Sequence, residues 1–365
     1  MYKKIGFIGL GLIGGSIAKA IRQHHPDIEL FGHASRISTI KNAHSEGVIR
    51  NDGFLPLEEF AKMDVVFLCA PVKLNIDYLE RLAPMLGEHT LVTDIGSVKG
   101  NIHDKAQSLG ISRCFIGGHP MAGSEKDGFL NSDPLLLENA YYLLTRGSDT
   151  DQEQFNGFSD FIATLGALPL ETDPKLHDHA TAAISHLPHI ISAALVGLIR
   201  DNDTPDGLMR TIAAGGFKDI TRISSSSPVM WQNICMDNRE EILRLVDMYS
   251  RALDAARNTV ASSDEAGLLE FFSHAKDYRD SLKLPGKGII PHTYDFYLNL
   301  EDESGQIAIV ATILAAARVS IKNIGIIHNR EFQEGVLQIE VYDEESMKSS
   351  MKLLTEHGYH IYLRK

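Results

Sequence analysis

The spacing of Gly9, Gly11 and Gly14 constrains this chain more than any other feature. "KKIGFIGLGLIGGS" runs from an apolar stretch of strand character into these glycines and then into a helical pattern beginning near Ile13. With G-x-G-x-x-G spacing between strand and helix, each glycine has its own task. Gly9 permits a tight turn, Gly11 lets a ligand approach the backbone, and Gly14 lets helix and strand pack closely. The predicted unit is strand, turn, helix, with the free N–H groups and dipole of the helix start forming a seat for an anion.

The alternation continues. "IELFGH", "DVVFLCA", "TLVTDIGS", "RCFIGG" and "AYYLLTR" read as strands separated by helical patterns, the signature of a parallel sheet covered on both faces. At 365 residues the chain exceeds one ordinary domain. Residues 1–172 are expected to form a Rossmann-type, doubly wound α/β domain, and 173–284, where the strand signal vanishes, an all-helical domain whose apolar helices pair with a second subunit. Residues 285–293, rich in Pro and Gly, read as a linker. Residues 294–365 follow the order βαββαβ, which predicts a ferredoxin-like module.

Charge narrows the partners. Lys plus Arg number 35 against 48 Asp plus Glu, and no basic block offers a footprint for nucleic acid or membrane. No stretch approaches about 18 consecutive apolar residues, and the glycine-rich start is not a signal peptide. Cys69, Cys114 and Cys235 are widely spaced and without a CxxC, which fits reduced thiols and a cytoplasmic location.

In the anion seat, a dinucleotide is the expected occupant, touching Gly9, Leu10, Gly11, Leu12, Ile13 and Gly14. The fingerprint also expects an acid about 20 residues on, to hold the ribose hydroxyls of NAD. Here Ala34 stands in that place, flanked by His33, Ser35 and Arg36. A short residue beside a hydroxyl and a guanidinium leans towards NADP or relaxed use of NAD and NADP. Arg36 simply opening the next helix in solvent is the alternative.

"GGHPMAGSEKDG" places His119 at the carboxyl end of a strand, where open α/β sheets bind ligands. That position suits a general base. Ser97, at the end of "TDIGS", reaches the same edge, either to hydrogen-bond the imidazole or substrate or to cap the helix that follows. His186 and His189, with Asp178 and His179 upstream, permit a metal reading, but a pocket wall facing His119 fits better, and no metal is expected. Lys218 and Arg222, four apart and near Trp231, suit a carboxylate clamp, although local pairing with Asp219 is the alternative.

These stretches, with "ISHLPHI" and "GGFKDITRISSSSPVMW", strongly resemble bacterial prephenate dehydrogenases of tyrosine biosynthesis over roughly the first 285 residues. "LEDESGQIAIVATILAAARVSIKNIGI" resembles an ACT domain, an amino-acid-sensing module. The resemblance implies oxidative decarboxylation of prephenate to 4-hydroxyphenylpyruvate with NAD or NADP, His119 taking the proton of the ring hydroxyl and Ser97 orienting both. It implies that Arg222 holds a substrate carboxylate, that His189, Lys218 and Trp231 shape the pocket, and that Ser124 and Glu125 reach the substrate side chain. It also implies a homodimer, and tyrosine as effector near Asp302, Glu303, Ser304, Gly305 and Asn323. No chorismate mutase region precedes the dinucleotide fold, so the bifunctional form is not implied. Arogenate dehydrogenase, a β-hydroxyacid dehydrogenase and a non-catalytic NAD(P) and amino-acid sensor are the competing expectations.

Overall fold

The computed structural model describes residues 2–363 except 88, 124–125, 283–293, 301–303 and 328–334. The expected linker, 285–293, therefore lies outside the described residues. The chain divides into two compact units, 1–257 and 258–365, so the first unit holds both the sheet and most of the helical segment.

In the first unit, seven strands make one sheet: β1 (Lys4–Ile8), β2 (Glu29–His33), β3 (Val65–Leu68), β4 (Leu91–Asp94), β5 (Phe115–Pro120), β6 (Tyr141–Arg146) and β7 (Leu168–Thr172). Their order is β2-β1-β3-β4-β5-β6-β7. The central strands are continuous apolar runs because both faces are covered. Alternate residues feed two cores: Phe7 and Phe67 pack on one face with Ile17 and Phe158, while Ile8, Val66 and Leu68 pack on the other with Phe60 and Leu79.

β1 to β5 pair in parallel, but β6 runs antiparallel to β5, with β7 parallel to β6. This corrects the expectation of a sheet parallel throughout. Among the described residues the segment between β5 and β6 carries only short 3₁₀ turns, with no crossover helix to return the chain to the starting edge. β7, "LPLET", escaped the sequence reading because it is an edge strand with no fully buried residue.

After β7, Asp173 caps a helix, Pro174–Thr181, accepting from the backbone N–H groups of Lys175 and Leu176. A π turn over Ala182–His186 follows, and then the helix Leu187–Asn202. Pro188 explains the interruption: it has no N–H to return to the preceding turn, so the ladder breaks and widens there. By length and composition the run Pro174–Asn202, which holds an 18-residue stretch of mean hydropathy 1.7, is sufficient to cross a membrane, which the count of consecutive apolar residues did not anticipate. It nevertheless carries four histidines, two of which, His177 and His186, are buried in the unit.

In the second unit, β8 (Tyr294–Leu300), β9 (Ile321–Ile327), β10 (Gly335–Val341) and β11 (Ile361–Tyr362) form an antiparallel sheet in the order β11-β8-β10-β9. Helices Gln306–Ala316 and Glu344–Glu356 complete the βαββαβ order, and Phe296, Leu298, Val310, Leu314, Ile339 and Leu354 form its core. This is the expected ferredoxin-like arrangement.

Candidate active site

The glycine loop behaves as three separate devices. Gly9 adopts φ +105°, and an added Cβ would sit 2.7 Å from the Cys69 backbone. At Gly14 it would lie 2.5 Å from the Gly9 carbonyl, so helix and strand are in contact there. At Gly11 it would meet nothing within 4 Å. Gly11 is also the N-cap of helix Leu12–His24, which has no side-chain cap and no acid in its first turn. An open, uncapped helix start fits a pyrophosphate.

Beside it, at the end of β2, Ala34 is buried in the core cluster, whereas Ser35 and Arg36 are exposed. His33 is packed among Phe54, Phe60 and Tyr78. Its Nδ1 is buried without a hydrogen-bond partner among the described residues. Burial, with help from Arg81, holds its pKa below the ordinary value. The residues present thus offer a dinucleotide its phosphate seat, and beside it an orphan ring nitrogen and a cation in place of an acid.

His119 stands at the end of β5, partly accessible, while the strand beneath it is buried. Burial first, and then the charges of His177, Lys99 and His186, hold its pKa well below that of a free imidazole. It is therefore neutral at pH 7 and able to accept a proton. Its Nδ1 lies 2.9 Å from His177 Nε2, and His177 Nδ1 lies 2.8 Å from Asp178 Oδ1. Asp178 in turn accepts from the backbone N–H groups of Lys99, at 2.7 Å, and Gly100, at 2.8 Å. These amides begin the helix Gly100–Ser108, so its start is capped by a residue 78 positions away in sequence.

That corrects the cap considered for Ser97. It lies half-buried on the same sheet edge, but it is neither the cap of this helix nor hydrogen-bonded to His119 among the described residues. Its near neighbour Lys99, which the sequence reading passed over, is fully buried and donates to Asp94 Oδ2 and, at 2.7 Å, to the Gly118 carbonyl. Burial lowers the pKa of Lys99, and Asp94 opposes that shift. The pair fixes the end of β4 to the residue preceding His119.

The far wall comes from the helical segment. His189 stacks on Trp231 with ring centroids 3.7 Å apart and donates from Nδ1 to the Ser185 carbonyl at 2.9 Å, leaving Nε2 as an acceptor. Burial and the charge of Arg222 lower the His189 pKa, against the opposing hydrogen bond to Ser185. His186 meets the edge of Trp231, accepts from Asn238, and is pushed down to about 4, mainly by burial. Trp231 Nε1 is buried and has no acceptor among the described residues. Arg222 ends the helix that carries Lys218, and both side chains are exposed. His179 turns away to Glu241, at 2.9 Å, so His177 is the histidine of this helix that faces His119. The described residues contain no group of three or more His, Cys, Asp or Glu able to hold a metal.

Ser124, Glu125, Asp302 and Glu303 lie outside the described residues. In the second unit, Gly305 begins helix Gln306–Ala316 with φ +95°, Ser304 precedes it, and Asn323 lies exposed on edge strand β9.

Two family models cover most of the first 274 residues: prephenate dehydrogenase, nucleotide-binding domain, over 17–169, and prephenate dehydrogenase, dimerization domain, over 173–274. The prephenate dehydrogenase of Bacillus subtilis (strain 168) is 41% identical over 345 residues, 93% of this chain and 92% of that protein. That of Lactococcus lactis subsp. cremoris is 35% identical over 357 residues, 96% of this chain and 97% of that protein. Among solved structures, prephenate dehydrogenase from A. aeolicus in complex with hydroxyphenyl propionate and NAD+ matches with a TM-score of 0.73 at 30% identity, covering 77% of this chain and 99% of that one. Synechocystis arogenate dehydrogenase matches with a TM-score of 0.69 at 31% identity, covering 76% and 99%. With both domains matched and the glycine loop and His119 in place, this chain belongs to the prephenate dehydrogenase family.

Proposed function

We propose that the protein oxidatively decarboxylates prephenate to 4-hydroxyphenylpyruvate in tyrosine biosynthesis, with His119 as general base. The observation that carries the base assignment is a neutral imidazole at a strand end, backed by a hydrogen-bonded histidine and carboxylate. When bound at Gly9–Gly14, the nicotinamide cofactor supplies the hydride acceptor. His119 Nε2 takes the proton of the ring 4-hydroxyl as hydride departs from the same carbon. The ring carboxylate then leaves as carbon dioxide, its bonding pair completes the aromatic ring, and His119 returns the proton to the new phenolic oxygen.

Arg222 and Lys218 supply positive charge for the substrate carboxylates, and the unpaired Trp231 N–H and His189 Nε2 offer a donor and an acceptor. Ser97, Ser124 and Glu125 belong to the same substrate-facing reading. At the ribose, Arg36 and the absence of an acid favour NADP or relaxed use over strict NAD use. The exposed Ile184, Val196 and Leu198 of the helical segment support a homodimer, in line with the dimerization-domain match. The C-terminal module is read as an ACT domain with tyrosine as effector at 302–305 and Asn323.

The test follows reduced-nicotinamide absorbance with prephenate or arogenate, NAD or NADP, and with or without tyrosine. Turnover of prephenate is expected, with the acid limb of kcat/KM below the ordinary histidine value of about 6.5. His119→Asn should lower kcat at least about 100-fold with cofactor affinity retained. Retained kcat in that variant would remove His119 as the base.

A further inference from the structure

Three N–H groups converge on Asp178: those of Lys99, Gly100 and His177. A carboxylate receiving them acts only as an acceptor, so the hydrogen between Asp178 and His177 belongs to His177 Nδ1. An imidazole that carries its single hydrogen on Nδ1 presents a lone pair at Nε2. That lone pair points at His119 Nδ1, 2.9 Å away, so His119 must hold its own hydrogen on Nδ1. One arrangement remains for the catalytic ring: donor at Nδ1 and free lone pair at Nε2.

We propose that His177 and Asp178 are positioning residues that fix this tautomer of His119 and stabilise the imidazolium formed when it takes the substrate proton. The inference rests on the reading of His119 as the base. The relay is held rigidly, since His177 and Asp178 are both buried, Thr181 Oγ1 donates to the His177 carbonyl at 2.9 Å, and Asn238 donates to the Asp178 carbonyl at 2.8 Å. His119 gains charge only transiently. Its Nδ1–H then donates more strongly into His177, whose opposite N–H is already anchored on a carboxylate. The other ionisable groups around it are Lys99, paired with Asp94, and His186 of the π turn, with His103 of helix Gly100–Ser108 facing Lys99 and His177. Lys99, His186 and His103 are cationic when charged and Asp94 is paired with Lys99, so the relay is what joins His119 to the carboxylate of Asp178.

The test compares His177→Phe, His177→Gln and His119→Asn in the full-length protein with prephenate and cofactor. Phenylalanine removes the acceptor, whereas a glutamine side-chain oxygen can reach the place of Nε2. His177→Phe should lower kcat at least about tenfold with KM within about threefold, and displace the acid limb of kcat/KM, because the imidazolium loses its acceptor. His177→Gln should restore most of kcat. Equal losses in both variants with an unmoved pH profile would reduce His177 to a structural role and overturn the proposal. Full activity in both, with His119→Asn inactive, would overturn it while leaving the base assignment intact. Retained activity in His119→Asn would remove the base assignment and the relay with it. Ring ¹⁵N NMR of the unsubstituted protein, with the His119 signal assigned by its loss in His119→Asn, reads the tautomer independently of the fold of any His177 variant. A hydrogen on Nδ1 is expected, and one on Nε2 at neutral pH would overturn the proposal.

Discussion

Lys99→Met keeps the side-chain length and deletes one charge of a fully buried pair. Both side chains of the Lys99–Asp94 pair have 0% exposure. In the variant Asp94 retains, among the described residues, the backbone N–H groups of Gly96, at 2.8 Å, and Gly118, at 3.3 Å, and the Gly118 carbonyl loses a donor. Removing one member of a buried pair costs about 3–5 kcal/mol, because the remaining charge stays out of water without a partner. In a unit of this size each kcal/mol lowers Tm by about 2–4 °C, which predicts a fall of about 6–20 °C. The assay is thermal unfolding followed by circular dichroism, with chemical denaturation as a second measure. The double variant Lys99→Met/Asp94→Asn leaves no stranded charge and should be more stable than Lys99→Met by at least about 1 kcal/mol. A fall below about 2 °C, or a double variant no more stable than the single one, would refute the buried-pair argument.

Two further outcomes follow from the site. Arg222→Ala should raise KM for prephenate at least about tenfold, equivalent to about 1.4 kcal/mol, and an unchanged KM would take Arg222 out of the carboxylate clamp. Arg36→Ala should weaken NADP binding, measured calorimetrically, by about tenfold while NAD changes by less than about twofold. Equal effects on both would place recognition of the ribose substituent elsewhere.

What the sequence made legible was local. The glycine spacing, the strand-helix alternation and the strand-end position of His119 all depend on neighbours within a few residues. The antiparallel β5–β6 pair was hidden because an apolar run does not encode its direction; only the missing crossover helix does. The support beneath His119 was hidden for another reason. His177 is 58 residues from its partner, and Asp178 is 78 or more from the amides it caps. Nothing in "KLHDHAT" distinguishes His177, which turns inward, from His179, which pairs with Glu241. Lys99 was missed because a lysine after "DIGSV" reads as a solvated helix start, and only the fold reveals a carboxylate waiting for it.

Asp178 capping a helix of the sheet domain has a consequence in time as well as in space. The amides of Lys99 and Gly100 stay closed to solvent only while the segment bearing Asp178 remains docked. If that segment lifts away in a local opening, the same event exposes those two hydrogens and disconnects His177 from its carboxylate. Their exchange with deuterium is thus a clock for assembly of the catalytic histidine, readable without substrate, cofactor or turnover.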